Sequence, residues 1–257
     1  MYLKSVLQMA SLLLHFRNGP TLVGRMRAAQ PCDEVVLWDG TRITHPAGRA
    51  GLLEAVVELW VEQVYTAGFY RPADGDVIVD AGANVGVFAI HTARQNRRSQ
   101  IIALEPFSEN FKYLQANVAR ACPESVTCCE VALGAAFGKG HMQAAGRSLD
   151  HRLQVDPVAA HGIPVVPLAG LFDLARAPEI DFLKVDIEGS ERDVFAAASP
   201  ELLARFKRIA MEYHDQIVPG TLHLLLGVLS PTHEVTVRPS KMQGCGILLA
   251  KRRDLKP

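Results

Sequence analysis

Short apolar runs alternate with stretches of helical spacing from about Gly75 onward, and this alternation constrains the fold more than any other feature of the chain. The predicted strands are Val77–Val79, Ile101–Leu104, Val126–Val131, Asp181–Asp186 and Arg208–His214, followed by Glu234–Arg238 and Gly246–Lys251. Continuous runs of this kind are typical of strands that are buried on both faces. The alternation predicts an α/β fold, with a doubly wound, mostly parallel sheet. The last two runs predict an antiparallel hairpin that adds an antiparallel edge strand.

Composition narrows the classes of partner. The chain has 257 residues, with 27 Lys and Arg against 27 Asp and Glu, so its formal net charge is zero. A protein that holds duplex nucleic acid through its phosphates is normally basic, so we expect no nucleic-acid partner. The five cysteines show no zinc-ligand spacing, and their odd number favours reduced thiols in the cytoplasm.

Residues 1–70 are predicted to form an N-terminal extension that packs on a core domain of residues 71–257. The extension reads as a helix, a short strand at Glu34–Trp38 and a helix around Leu52–Tyr65. The first apolar stretch, residues 3–16, is too short to span a membrane, and Arg17–Pro20 ends it. We therefore expect no transmembrane segment and a helix that packs on the domain or on a partner subunit, for example in a homo-oligomer. Peripheral contact with a membrane is the alternative.

The most specific motif is the loop within Asp76–Val87, where a buried strand ends at Asp80 and three residues, Gly82, Asn84 and Gly86, precede the next helix. Gly82 permits a tight turn and a close approach of the backbone to a ligand. Dinucleotide-binding enzymes have G-x-G-x-x-G, but positions 82, 84 and 87 hold Gly, Asn and Val. The pattern therefore predicts a nucleotide-like ligand other than a dinucleotide.

Two carboxylates suggest which ligand this is. Asp80 stands two residues before the first glycine, where it would repel a pyrophosphate but suit the amino group and sulfonium of S-adenosylmethionine. Glu105 ends the next strand, where an acidic side chain can accept hydrogen bonds from both ribose hydroxyls. The structural alternatives are a helix N-cap for Asp80 and an exposed strand end for Glu105. Together, the two carboxylates predict binding of S-adenosylmethionine.

Several segments resemble the FkbM-type family of S-adenosylmethionine-dependent methyltransferases. They are residues 76–93, 101–118, 130–134, 181–195 and 209–215. The run Lys-Val-Asp-Ile-Glu-Gly at 184–189 is the most diagnostic part, because many methyltransferases share the glycine loop. The resemblance implies a class I methyltransferase fold, which is a Rossmann-like sheet of seven strands. It also implies O-methylation of a hydroxyl on a sugar or secondary metabolite. Segment 141–164 matches no family pattern, so we predict that it is a substrate-facing insertion.

The resemblance also implies the residues that bind the cofactor, divided by the part of S-adenosylmethionine that each contacts. The methionine part is bound by Asp80, Gly82, Ala83, Asn84 and Gly86. The ribose is bound by Glu105, with Pro106 beside it. The adenine is flanked by Glu130, Val131 and Ala132.

Four side chains near the ends of two predicted strands are the candidates for catalysis. Strand periodicity places Asp186 and Glu188 on one side of the first strand, and Glu212 and His214 on one face of the next. If these strands are adjacent and parallel, the four side chains converge where ligands bind in such sheets. Methyl transfer needs an aligned nucleophile, and a hydroxyl nucleophile must also lose its proton. We predict His214 or Asp186 as the base, with Glu188 and Glu212 orienting the substrate.

Other interpretations stay open at this point. Glu188 could cap a helix while Lys184 pairs with a carboxylate to close the sheet edge. The same carboxylates and histidine could hold Mg²⁺, although the spacing does not require it, and we predict no metal ligand. The chain could also be a non-catalytic S-adenosylmethionine-binding subunit that docks a partner. A nicotinamide-dependent oxidoreductase is the third class, and the missing glycines at 84 and 87 argue against it.

Overall fold

The computed structural model describes residues 2–145, 150–156, 162–240 and 242–255, and for residues 2, 3, 142–145 and 150–156 it describes the backbone only. The helices are α1 (Tyr2–His15), α2 (Gly19–Ala28), α3 (Leu52–Ala55), α4 (Val87–Gln95), α5 (Ser108–Ala121), α6 (Gly170–Ala175), α7 (Glu191–Ala196), α8 (Pro200–Leu203) and α9 (Thr221–Leu229). The strands are β1 (Glu34–Val36), β2 (Arg42–Thr44), β3 (Val77–Ala81), β4 (Gln100–Leu104), β5 (Val126–Cys129), β6 (Ala132–Leu133), β7 (Gly138–Ala145), β8 (Asp150–Asp156), β9 (Ile163–Val166), β10 (Phe182–Val185), β11 (Arg208–His214), β12 (His233–Pro239) and β13 (Cys245–Arg252).

A seven-stranded sheet in the order β12-β13-β11-β10-β3-β4-β5 forms the centre of the molecule. Strands β11, β10, β3, β4 and β5 run parallel, and β13 is antiparallel to both of its neighbours. The predicted fold class is thereby confirmed as a mostly parallel, Rossmann-like sheet. The antiparallel strand lies one place in from the edge, however, because the returning hairpin inserts β13 beside β11 and leaves β12 outermost.

Alternating residues of the central strands supply two separate cores. Ile78 and Phe182 belong to the core on one face of the sheet, whereas Val79 and Leu183 belong to the core on the other. All four side chains are fully buried. Burial of a large apolar side chain stabilises a fold by about 1.5–3 kcal/mol, so continuous apolar runs fix these strands at the centre.

A second sheet, in the order β6-β9-β7-β8, was not anticipated from the sequence. The predicted strand Val126–Val131 is wrong in its extent, because pairing with β4 ends at Cys129 and the chain re-forms as β6 in the second sheet. The backbone of the predicted insertion 141–164 contributes to the β7–β8 hairpin and to β9. Side chains of residues 142–161 lie outside the described residues, so the substrate-facing role stays a prediction.

The N-terminal residues differ from the sequence prediction in three places. Helix α2 begins within the predicted break, since Pro20 occupies the first helical turn, where its missing N–H costs no hydrogen bond. The predicted strand Glu34–Trp38 ends at Val36 and pairs with β2. The predicted helix Leu52–Tyr65 is shorter, consisting of α3 and a π-helical segment, Val56–Val61.

Aromatic side chains connect these N-terminal residues to the central sheet. Leu12 and Phe16 are fully buried, and the Phe16 ring lies 5.4 Å from the ring of Trp60. Trp60 in turn lies 4.6 Å from the ring of His91 on α4. The N-terminal residues therefore share the core on one face of the sheet. Among the helices described, none is both long enough and apolar enough to cross a membrane.

Candidate active site

A cavity opens at the carboxyl ends of β3, β4 and β10, at the edge of the sheet where the sequence predicted a ligand. Six of the predicted cofactor-binding residues line it: Gly82, Asn84, Glu105, Pro106, Val131 and Ala132. The other four do not line it: Asp80, Ala83, Gly86 and Glu130. Asp186 and Glu188, two of the predicted catalytic residues, complete one wall.

The loop after β3 owes its shape to residues in the left-handed region. Gly82 has φ 80°, and a Cβ atom there would lie 1.8 Å from the carbonyl oxygen of Asp186. Asn84, with φ 50°, continues the turn. A Cβ at Gly86 would lie 2.8 Å from Leu114 on α5, so this glycine permits helix packing rather than ligand approach.

Glu105 fixes the opposite side of the loop. It is 6% exposed, and its two carboxylate oxygens accept hydrogen bonds from the backbone N–H groups of Asn84 (2.8 Å) and Phe107 (2.9 Å). Burial raises the pKa of Glu105 to about 7, although these hydrogen bonds oppose the rise. Each carboxylate oxygen keeps a second lone pair, so Glu105 can also accept a hydrogen bond from a ligand in the cavity.

Asp80 lies beneath the loop and has no exposed surface. Its charge is balanced by Lys184, whose Nζ lies 3.1 Å from Asp80 Oδ1 and donates a 2.8 Å hydrogen bond to the Gly82 carbonyl. Burial raises the pKa of Asp80, and the nearby Lys184 charge limits that rise. The structure thus places the Asp80 carboxylate behind the cavity wall. The sequence, in contrast, predicted that this carboxylate faces the ligand.

The four predicted catalytic side chains come together at the ends of β10 and β11. These strands are parallel neighbours, with Val185 in register with Met211. Ligand-type atoms of Asp186, Glu212 and His214 all lie within 4.8 Å of one another. Glu188 joins them, with its Oε2 3.6 Å from His214 Nε2. We call Asp186, Glu188, Glu212 and His214 the acidic cluster.

The groups of the acidic cluster shift one another's pKa values. Burial lowers the pKa of His214, but Glu191, Glu188 and Asp186 outweigh it and raise that pKa to about 9. Burial and the adjacent Asp186 raise the pKa of both Glu188 and Glu212 to about 7. At neutral pH His214 is thus an imidazolium with no lone pair to accept a proton, which disfavours it as the base.

Two further residues of the site were missed from the sequence. Glu191 at the start of α7 is fully buried, and its Oε1 lies 3.0 Å from His214 Nδ1. Tyr65 donates a 3.3 Å hydrogen bond to Asp186 Oδ2. Glu191 was detectable as an acidic residue at a helix start directly after the diagnostic run, whereas Tyr65 reaches the site through tertiary packing that leaves no local signal.

Residues 80–229 match the model of the methyltransferase FkbM domain, which is more than half of the chain. The chain belongs to the FkbM methyltransferase family. The match begins at Asp80 and covers the loop after β3 as well as the acidic cluster. The fold around this site is the mostly parallel, Rossmann-like sheet of seven strands.

The proteins that this chain resembles are distant from it in sequence. The 31-O-demethyl-FK506 methyltransferase FkbM of Streptomyces tacrolimicus is 26% identical over 223 residues, covering 74% of this chain and 84% of that protein. The AMB antimetabolite synthetase AmbE of Pseudomonas aeruginosa PAO1 is 25% identical over 202 residues, or 62% of this chain, but the chain spans only 9% of its length. Among solved structures, a chain of the fibrillarin/Nop5p complex has a TM-score of 0.49 and 11% identity, with coverage of 86% and 97%.

Proposed function

We propose that this chain uses S-adenosylmethionine to methylate a hydroxyl oxygen of a small sugar or secondary-metabolite acceptor. The observation that carries the proposal is the single cavity in which the glycine loop and Glu105 meet Asp186 and Glu188. Membership of the FkbM family supports methyl transfer, and the Streptomyces relative named for O-methylation supports the oxygen acceptor. The free thiols of all five cysteines are in line with a cytoplasmic location, which we also propose.

The residues of the cavity fit the cofactor. Gly82 brings its backbone into the cavity wall, and Asn84 follows it there. We assign these two to the methionine part, and Glu105, with a lone pair free on each oxygen, to the ribose hydroxyls. Val131 and Ala132 supply an apolar wall for the adenine. The bound cofactor supplies an electrophilic methyl group.

Glu188 is the proton acceptor in this proposal. Its carboxylate lines the cavity, and its side chain is 39% exposed, so an acceptor hydroxyl can reach it. Its backbone has φ 51°, an unfavourable conformation for a non-glycine residue that is typical of functional sites. His214 lies 3.6 Å from Glu188 and orients its carboxylate. Tyr65 donates a hydrogen bond to Asp186, so the Asp186 carboxylate is held in position to orient the acceptor.

Calorimetry with S-adenosylhomocysteine tests cofactor binding. We expect the wild type to bind and Glu105→Gln to bind at least about 10-fold more weakly, because an amide offers one acceptor oxygen in place of two. Glu124→Gln is the matched control: Glu124 is exposed and outside the cavity, so its substitution should leave the affinity unchanged. The absence of binding by the wild type would remove the proposal.

Turnover on a panel of sugars and hydroxylated metabolites tests the chemistry. Glu188→Gln keeps the shape of the side chain but cannot take a proton, so we expect kcat to fall about 100- to 10,000-fold. The affinity for S-adenosylhomocysteine should change little. Tight cofactor binding with no methyl transfer to any hydroxyl by the wild type would favour a non-catalytic binding subunit.

A further inference from the structure

We infer that Asp186, Glu212 and His214 form a binding site for a divalent metal ion beside the cavity. One ligand atom from each residue lies within 4.8 Å of the other two. Bonds to a metal ion measure about 2.0–2.5 Å, so atoms on one ion lie within about 5 Å of one another. Two carboxylates with one imidazole form a ligand set that suits first-row ions such as Mn²⁺.

The orientation of His214 is the independent observation that points to a metal. The side chain is more than nine-tenths buried, and Nδ1 is held by Glu191 at 3.0 Å. Its Nε2 faces Glu188, whose Oε2 lies 3.6 Å away, which is an ion-pair distance and longer than a hydrogen bond. Metal-binding histidines characteristically donate their second ring N–H to a carboxylate, which fixes the tautomer.

Glu191 is the positioning residue for His214. It is fully buried, and its Oε1 also accepts a 3.1 Å hydrogen bond from the backbone N–H of Gly189. The same oxygen therefore ties His214 to the turn that carries Glu188. This arrangement holds the imidazole plane in place, with Nδ1 on Glu191 and Nε2 on the side of Glu188.

Two cations lie beside these carboxylates, the Lys184 ammonium and the His214 imidazolium. Lys184 lies 3.7 Å from Asp186 Oδ2, but it is closer to Asp80 and to the Gly82 carbonyl. The Glu212 carboxylate makes no hydrogen bond with the residues that the structure describes. A divalent cation bound here would take the place of the proton on His214 Nε2 and so add one net positive charge to the cluster.

The role of the ion rests on the proposed function. Asp186 lines the cavity, so an ion bound to it is within reach of the acceptor oxygen. As the acceptor O–H bond breaks, the proton goes to the Glu188 carboxylate and the electron pair stays on oxygen, where a metal ion stabilises the developing alkoxide. The oxygen would then form its bond to the methyl carbon as the bond from that carbon to the sulfonium sulfur breaks, with the electron pair of the broken bond going to sulfur and S-adenosylhomocysteine as the leaving group. No oxidant or reductant takes part.

Mn²⁺ titration of the chelator-treated full chain, followed by electron paramagnetic resonance, tests the site. We expect a single tightly bound Mn²⁺ ion, with nitrogen coupling from one imidazole in pulsed spectra of the wild type. Glu212→Gln should weaken Mn²⁺ binding at least about 10-fold, and Glu191→Gln about 10- to 100-fold. Glu234→Gln, an exposed carboxylate on β12, is the matched control and should bind as the wild type does.

Three results would overturn the inference: no bound Mn²⁺, bound Mn²⁺ without nitrogen coupling, or equal affinity in Glu212→Gln. The coupling is measured on the wild type, so it does not depend on the folding of a variant. Methyl transfer that persists in chelator, with no Mn²⁺ bound, rejects the metal site and keeps the proposed function. Mn²⁺ held by His214 in a chain that does not bind S-adenosylhomocysteine rejects the proposed function and keeps the metal site.

Discussion

At the scale of single residues, Gly82 sets how closely the cofactor loop approaches the acidic cluster. The Asp186 carbonyl occupies the space that a side chain at Gly82 would need. Lys184 joins the same two segments from below, through the Gly82 carbonyl and the Asp186 carboxylate. The part of the site that holds the cofactor and the part that handles the acceptor are thus coupled through direct contacts.

Replacing Gly82 with alanine tests this coupling. The new Cβ would lie 1.8 Å from a backbone oxygen at φ 80°, so the loop or the end of β10 must move. We expect a loss of more than about 2 kcal/mol in the free energy of unfolding, measured in urea, with weaker binding of S-adenosylhomocysteine. Gly24→Ala is the control, since Gly24 lies within α2 with nothing within 4 Å. It should stabilise the protein by about 0.5–1 kcal/mol, and similar losses in both variants would contradict the argument.

At the scale of elements, α1 presents one buried face and one exposed face. Leu12 is fully buried among the aromatic side chains of the N-terminal core, whereas Leu14 is 73% exposed. The two residues have the same side chain in the same helix. The difference between them isolates the contribution that docking of α1 makes to stability.

Leucine-to-alanine substitutions in α1 measure that contribution. Leu12→Ala leaves a cavity in the shared core, so we expect a loss of about 2–5 kcal/mol in the free energy of unfolding. Leu14→Ala removes exposed surface only and should change it by less than about 0.5 kcal/mol. Urea denaturation of both variants checks the difference. A small loss for Leu12→Ala would show that α1 is not part of the cooperative unit.

The sequence predicts best those strands in which most residues are apolar and buried. The predicted strand Arg208–His214 agrees with β11 at both ends, and five of its seven residues are buried, as expected of a strand covered on both faces. Strand β7, with the sequence GKGHMQAA, has no such run, and its pairing with β8 is set by tertiary context. The sequence also predicted that the residues of the acidic cluster come together, because their two strands were expected to be neighbours. It did not predict that Asp80 is buried against Lys184, because that contact depends on side-chain packing and not on the spacing of residues along the chain.

At the scale of the whole molecule, the core on one face of the sheet joins the N-terminal residues to the cofactor-binding half. His91 lies at that junction, 9% exposed, beside Trp60 and with its Nε2 2.7 Å from Gln95 Nε2. Burial, with smaller contributions from the nearby charges of His15 and Arg94, lowers its pKa to about 4. The folded protein therefore holds His91 in the neutral form through mildly acidic conditions.

This buried histidine predicts how the stability of the whole molecule depends on pH. The unfolded chain takes up a proton at His91 below a pKa of about 6.5, and the folded chain only near pH 4, so acid favours unfolding between those values. The stability that neutral His91 contributes is complete above the unfolded pKa and is lost as pH falls. We expect it to decrease by about 2 kcal/mol between about pH 7.5 and about pH 5.

Urea unfolding of the wild type and His91→Gln at both pH values isolates this contribution. Carboxylates with raised pKa, such as Glu105, respond to pH in the opposite direction, but they are common to both proteins and cancel in the difference. The advantage of the wild type over His91→Gln should therefore shrink by about 2 kcal/mol on acidification. His223→Gln, on the exposed side of α9, should follow the wild type at both pH values. A constant difference between wild type and His91→Gln would mean that His91 titrates normally in the folded protein, and that the junction between the N-terminal residues and the sheet admits water.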